Sequence, residues 1–248
     1  MNRIFNMDNK FFTFMGRIAD LIILNLLCIV CCIPIVTIGP AITAMFYVTM
    51  KMVRNEEAYI VKGFFHSFKE NLRQGIIINI ITLAAFIMLS LDISLVRAME
   101  GTMYKVLFYI FLVLLFLSML VYLYIYPVLA KFYNTIKRTF INAFLMSIRH
   151  LPYSILMIVI SLVPFAILFI PSFRVQSFLI MLFILMGGAT IAYINSCFLV
   201  KIFDKYIPEE EKEETEDGEW HMEENPEETE QETDKTPKEL PDTEDPSL

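Results

Sequence analysis

Five stretches of the sequence stay apolar long enough to cross a bilayer: residues 21–38, 76–96, 106–130, 151–173 and 175–200. A hydrocarbon core of about 30 Å takes about 20 helical residues to cross, and the backbone must close its own hydrogen bonds there, which selects the α-helix. Only 76–96 carries a charge, Asp92, near its end. The first stretch has neither the short apolar core nor the small-residue cleavage site of a signal peptide, so it reads as a retained span. Residues 58–73 follow a different rhythm. Ile60, Val61, Phe64, Phe65, Phe68 and Leu72 recur at helical spacing on one arc, with Lys62, His66, Lys69, Glu70 and Arg73 on the other. A cationic, aromatic amphipathic helix of this kind lies in the headgroup layer of the cytoplasmic leaflet or packs on the loop ends of the bundle; either burial satisfies its apolar face. The pattern predicts an all-α, polytopic transmembrane helical bundle of five spans with cytoplasmic amphipathic segments.

Basic residues set the expected orientation. Lys51, Arg54, Lys62, Lys69 and Arg73 separate the first two spans, and Lys131, Lys137, Arg138 and Arg149 separate the third and fourth. The remaining connections hold only Arg97 and Lys105, or Arg174 alone. The positive-inside rule therefore puts the two basic loops in the cytoplasm, and the C-terminal tail joins them there after Lys201 and Lys205. Five crossings then leave the N-terminus outside, although it carries Arg3, Lys10 and Arg17. A sixth crossing through residues 39–50 would bring it inside, but 12 residues are few for a span. Five spans is the expectation and six the alternative.

Charge divides the chain in two. Residues 1–205 hold 17 Lys and Arg against 8 Asp and Glu, a net +9, whereas residues 206–248 hold 3 against 19, a net −16; together they give the −7 of the whole. Residues 1–205 form the expected membrane domain. Residues 206–248, with five of the eleven prolines and few aliphatics, are predicted to be a disordered acidic tail because they cannot bury enough surface to offset the entropy of ordering.

Candidate chemistry is sparse. No ionisable side chain falls at the middle of a predicted span, and the mid-span polar groups are the amides of Asn25, Asn79 and Asn195. Such asparagines most often bond to neighbouring helices, and alternatively line a polar cavity for a neutral solute. The candidate membrane-surface or partner contacts are Lys51, Arg54, Lys62, Phe64, Phe65, Phe68, Lys69 and Arg73. Cys28, Cys31 and Cys32 share a helical face, but they and Cys197 have no histidine at metal-ligand spacing and read as small buried hydrophobes. No nucleophile with its base, glycine-rich phosphate loop or clustered ligand set appears in the loops, so neither an enzyme nor a cofactor is expected. A repeat is visible: Pro40, Ala44, Phe46, Tyr47 and Lys51 are echoed by Pro127, Ala130, Phe132, Tyr133 and Lys137, and Phe64, Ser67 and Lys69 by Phe144, Ser147 and Arg149. It implies two similar units, each a span followed by an amphipathic cytoplasmic segment.

Longer motifs carry a family resemblance. They are Phe5-Asn6-Met7-Asp8-Asn9, Asn25-Leu26-Leu27, the run from Pro34 to Ala41, the run from Tyr47 to Glu57, and Phe64-Phe65-His66-Ser67-Phe68-Lys69-Glu70-Asn71. With them the chain resembles the YesL family, grouped under the domain of unknown function 624, over roughly residues 1–205. The resemblance implies a multi-pass protein of the bacterial plasma membrane, often encoded near carbohydrate uptake and glycan-degradation genes, in a family with no established mechanism or site. The resulting expectation is an accessory component of a carbohydrate uptake or utilisation system. Its surroundings would be the lipid bilayer and its candidate partners carbohydrate ABC transporter subunits, with no nucleic acid. The alternatives are a small permease for a neutral solute and a structural or sensing envelope protein.

Overall fold

A computed structural model describes residues 10–56, 59–132 and 134–206. The Phe5–Asn9 motif, Ala58, Tyr133 of the repeat and the acidic tail from residue 207 onward lie outside the described residues. All regular structure among the described residues is helical. Five helical segments are long and apolar enough to cross a membrane, or six if a bent pair is one span.

The first helix, α1 (Lys10–Cys31), begins and ends well before the predicted span of 21–38. Pro34 is the cause: it has no N–H to donate, and it pushes the residue before it out of helical geometry. Thr37 then caps the break, its Oγ1 donating to Cys31 O at 2.7 Å and Pro34 O at 2.8 Å. After a short 3-10 turn (Ile35–Thr37) the chain enters α2 (Ile38–Val53).

The count of five candidate spans agrees with the expectation, but this second helix changes which segments supply them. Ile35–Val53 has the length and apolarity of a span, and most of α2 is buried against α1, the helices over Leu72–Arg97 and Thr102–Lys131, the amphipathic helix and the last helix. Its glycine, threonines and alanines make it the least apolar of the five candidate segments. That composition suits a helix sheathed by other helices, where small residues permit close approach and lipid is not the solvent. At Asn55 the backbone turns left-handed, φ 57°, and the chain leaves the helix.

The amphipathic helix α3 is Ile60–Glu70, shorter than the predicted 58–73; Leu72 and Arg73 instead open α4 (Leu72–Arg97). Asn71 marks the junction, with its Nδ2 donating to Ser67 O at 3.0 Å. Phe64 and Ser67 bury the inner face of α3 on α2. Gly101, at φ 136°, provides the turn into α5 (Thr102–Lys131), since a side chain is strained in that conformation. The half of α5 near its C-terminus is buried from Tyr124 to Leu129, and the other half is largely exposed.

Next, α6 (Ile136–Arg149) and α7 (Leu151–Ile167) meet at a bend of 100°. The span predicted over 151–173 stops at Ile167. The last crossing comprises α8 (Phe173–Leu182), a π-helical turn (Phe183–Gly187) and α9 (Gly188–Phe203), slightly longer than the predicted 175–200. The order α2–α3–α4, a long apolar helix, a shorter amphipathic one and another apolar helix, recurs as α5–α6–α7, which is the order of the sequence repeat. Ser67 and Ser147, matched in that repeat, are both fully buried.

The outer surface is apolar on nearly every helix: Ile87, Val113 and Val159 are each more than half exposed. A water-soluble domain would bury such side chains, so the solvent they fit is lipid. The chain is an integral membrane protein.

Candidate functional site

Polar side chains inside the bundle are tied to backbone or hydroxyl partners. Asn25 on α1 reaches the π turn of the last span: its Nδ2 donates to Ile184 O at 2.6 Å, and its Oδ1 accepts from the Ala189 N–H at 2.9 Å. A π turn shifts the helical ladder and strands backbone groups. One side-chain amide here satisfies both a carbonyl and an N–H. Gly188 leaves the space for it, because a β-carbon there would lie 2.8 Å from Asn25 Oδ1.

Asn79 on α4 donates from Nδ2 to Ile35 O at 2.9 Å, a carbonyl of the 3-10 turn. Its Oδ1 accepts from the Tyr126 hydroxyl at 3.3 Å, and Thr82 Oγ1 lies 3.5 Å from the same hydroxyl. Asn195 on α9 donates to Ser161 Oγ of α7 at 3.1 Å, while its Oδ1 is buried with no hydrogen-bond partner. Each asparagine thus serves a different helix contact, and no hydrogen bond joins any two of them.

Four hydroxyl groups missed by the sequence reading add to this framework. Thr49 Oγ1 and Ser196 Oγ pair at 2.8 Å between α2 and α9. Tyr124 and Ser154 pair at 2.9 Å between α5 and α7, and Ser154 also donates to Ser147 O at 2.9 Å across the α6–α7 bend. Tyr124 had no distinguishing mark in the sequence, since Tyr122, Tyr124 and Tyr126 look alike in one aromatic-rich run. Cys28 Sγ and Cys32 Sγ approach to 3.8 Å, and among the described residues no three His, Cys, Asp or Glu side chains are placed to hold a metal.

Basic residues from distant parts of the chain meet at one end of the bundle. Arg17 on α1 donates to Asn55 Oδ1 and, at 3.1 Å, to the Tyr193 hydroxyl. Arg54 pairs with Asp204 after α9. His150 Nε2 lies 3.1 Å from the Tyr206 hydroxyl, and Arg149 stands over the Tyr206 ring at 5.6 Å. Burial, followed by the charges of Lys205 and Arg149, holds the His150 imidazole below its ordinary value. The α1 end carrying Arg17 therefore lies with the C-terminal end of α2, and Asp204 and Tyr206 after α9 bring that helix's C-terminal end to Arg54 and to the α6–α7 bend.

The proposed surface contacts separate into two groups on α2 to α4. Phe64 is buried and holds α3 on α2, stacking on Phe68 with ring centroids 6.1 Å apart. Lys51 is half-buried and stands 5.0 Å over the Tyr47 ring. Lys62, Phe65, Lys69 and Arg73 are exposed. Between α1 and α3 opens a groove of about 800 Å³ lined by Asp20, Ile23, Tyr59, Ile60, Val61, Lys62, Phe65, His66 and Lys69. Asp20 fell outside the predicted span, which began one residue after it; the candidate segment Thr13–Cys31 includes it. His66 Nε2 stands 4.0 Å from Glu70, whose carboxyl burial pushes up while His66 acts in the opposite sense.

Residues 21–93 match a family model described as protein of unknown function, DUF624. The match runs through the C-terminal half of α1 and all of α2 and α3 into α4, and the described residues of the YesL-like motifs within it lie on those helices and at the junctions between them. No curated protein and no solved structure matches the chain.

Proposed function

We propose that this integral membrane protein is a non-enzymatic accessory of a carbohydrate uptake or utilisation system in a bacterial plasma membrane, with its basic end and C-terminal tail in the cytoplasm. The observation that carries the reading is the outer face of α6. This helix buries a stripe of small and polar residues, Thr139, Ala143 and Ser147, with Met146, and presents Ile141, Phe144, Leu145 and Ile148 outward beside exposed Lys137 and Arg138. A helix that buries its small side chains and exposes its bulky ones has a second face to cover, by lipid or by another membrane subunit. The gene neighbourhood implied by the family resemblance favours transporter subunits.

The test is crosslinking in native membranes, followed by capture of the tagged full chain and identification of bound proteins. Recovery of carbohydrate ABC transporter subunits, lost on Leu145→Glu, supports the accessory role. Recovery of the chain alone from several growth conditions refutes it.

A second reading, a permease for a neutral solute, is favoured by the unpartnered Asn195 Oδ1 between α7 and α9, where a solute hydroxyl would find an acceptor. Solute flux in proteoliposomes that survives Asn195→Leu would eliminate that site.

A further inference from the structure

The groove between α1 and α3 combines three features: a line of two lysines and a histidine, an apolar wall and a position between a candidate span and an amphipathic helix. Lys62, His66 and Lys69 stand at i, i+4 and i+7 of one helix, so their side chains follow one line along the groove. Ile23 on α1 and Val61 and Phe65 on α3 form the apolar part, each between 39% and 50% exposed. Ile23 belongs to a candidate membrane span and α3 does not, so the groove begins on a lipid-facing helix and ends on an interfacial one. That is the order of chemistry in a phospholipid, acyl chain first and phosphate next.

We propose that this groove is a binding site for an anionic phospholipid, with Lys62, His66 and Lys69 receiving the headgroup phosphate and Ile23 and Phe65 receiving the upper acyl chain. Charge complementarity selects the lipid class. Lys62 and Lys69 outweigh Asp20, the one carboxylate lining the groove, while Glu70 stands behind His66 at 4.0 Å, and lysines near a membrane surface favour anionic over zwitterionic lipid. Asp20 faces the same groove and opposes an anion there. The site thereby makes a prediction of sign: neutralising the lysines weakens binding, and neutralising Asp20 strengthens it. The proposal is independent of whether the protein assists a transporter.

The experiment uses the full chain in mild detergent, titrated in turn with phosphatidylglycerol, phosphatidylethanolamine and phosphatidylcholine of identical acyl chains, with bound lipid counted by native mass spectrometry. Phosphatidylglycerol should be retained most strongly. Lys62→Gln with Lys69→Gln should weaken it about thirtyfold, taking each surface lysine as a fivefold to sixfold effect. Both side chains are exposed, so this variant keeps its packing, and Lys137→Gln with Arg138→Gln removes the same charge elsewhere as the control. Asp20→Asn should retain more phosphatidylglycerol than the unaltered chain. Equal retention of the three lipids, equal losses in the two double variants, or weaker binding in Asp20→Asn would overturn the assignment.

Discussion

The crossing of α2 and α4 at Gly39 and Gly75 makes a sharp test of the central position of α2. A β-carbon on Gly39 would lie 2.4 Å from Gly75 O and 2.8 Å from Asn79 Cβ, and one on Gly75 would lie 2.9 Å from Pro40 N. Ordinary contact begins at 3.4 Å, so Gly39→Ala forces the two helices apart by about 1 Å (3.4 less 2.4) against backbone that cannot rotate away. Overpacking of this kind costs about 1–3 kcal/mol. The separation also lengthens the bond from Asn79 to Ile35 O, 2.9 Å, and the bond from Tyr126 to Asn79, 3.3 Å. Two interhelical bonds in a membrane contribute about 0.6 kcal/mol each, and alanine returns at most about 1 kcal/mol of helix propensity. The net expected loss is about 2 kcal/mol. Gly16→Ala on α1 is the control, since nothing lies within 4 Å of its β-carbon position and propensity alone predicts a gain of up to about 1 kcal/mol. Reversible unfolding of both purified variants in mixed micelles measures the difference. Equal stability of Gly39→Ala and Gly16→Ala would refute the close crossing, and with it the placement of α2 between α1 and α4.

Asn25→Leu should destabilise the last span by about 1–2 kcal/mol and accelerate amide exchange at Ala189, because one amide now satisfies two groups at the π turn; unchanged exchange at Ala189 would remove Asn25 from that role. The lowered His150 value means that the unfolded chain binds the proton more readily, so its contribution to stability is intact above the usual histidine value of 6.5 and declines as pH falls from there through the folded value. Unfolding midpoints between pH 7.5 and 5 should therefore drop more for the unaltered chain than for His150→Gln, and parallel profiles would count against it. For orientation, single cysteines in a chain whose four native cysteines are replaced should label from opposite faces of sealed vesicles, Lys62→Cys from the basic side and Arg174→Cys from the other; labelling from the same face would contradict the crossing pattern.

The sequence by itself determined the helical membrane class and, within a few residues, the segments 76–96, 106–130 and 175–200, because long apolar runs are imposed by lipid and a helix exposed to lipid carries its evidence on its own surface. The same logic explains where reading the sequence fell short. The helix α2 is shielded by its neighbours, and its Thr43, Thr49, Gly39 and Pro40 answer to packing rather than to lipid, so its hydropathy understates it. Pro34 lies inside an unbroken apolar run, and only the folded chain shows that the helix stops before it and that α1 extends back to include Asp20. The asparagines were visible as polar positions, but the choice of a π-turn carbonyl for Asn25, a 3-10 carbonyl for Asn79 and a serine for Asn195 depends on which helices meet. Those partners lie from 34 to 159 residues away in sequence, and a hydrogen bond reaches about 3 Å, so only tertiary structure decides them.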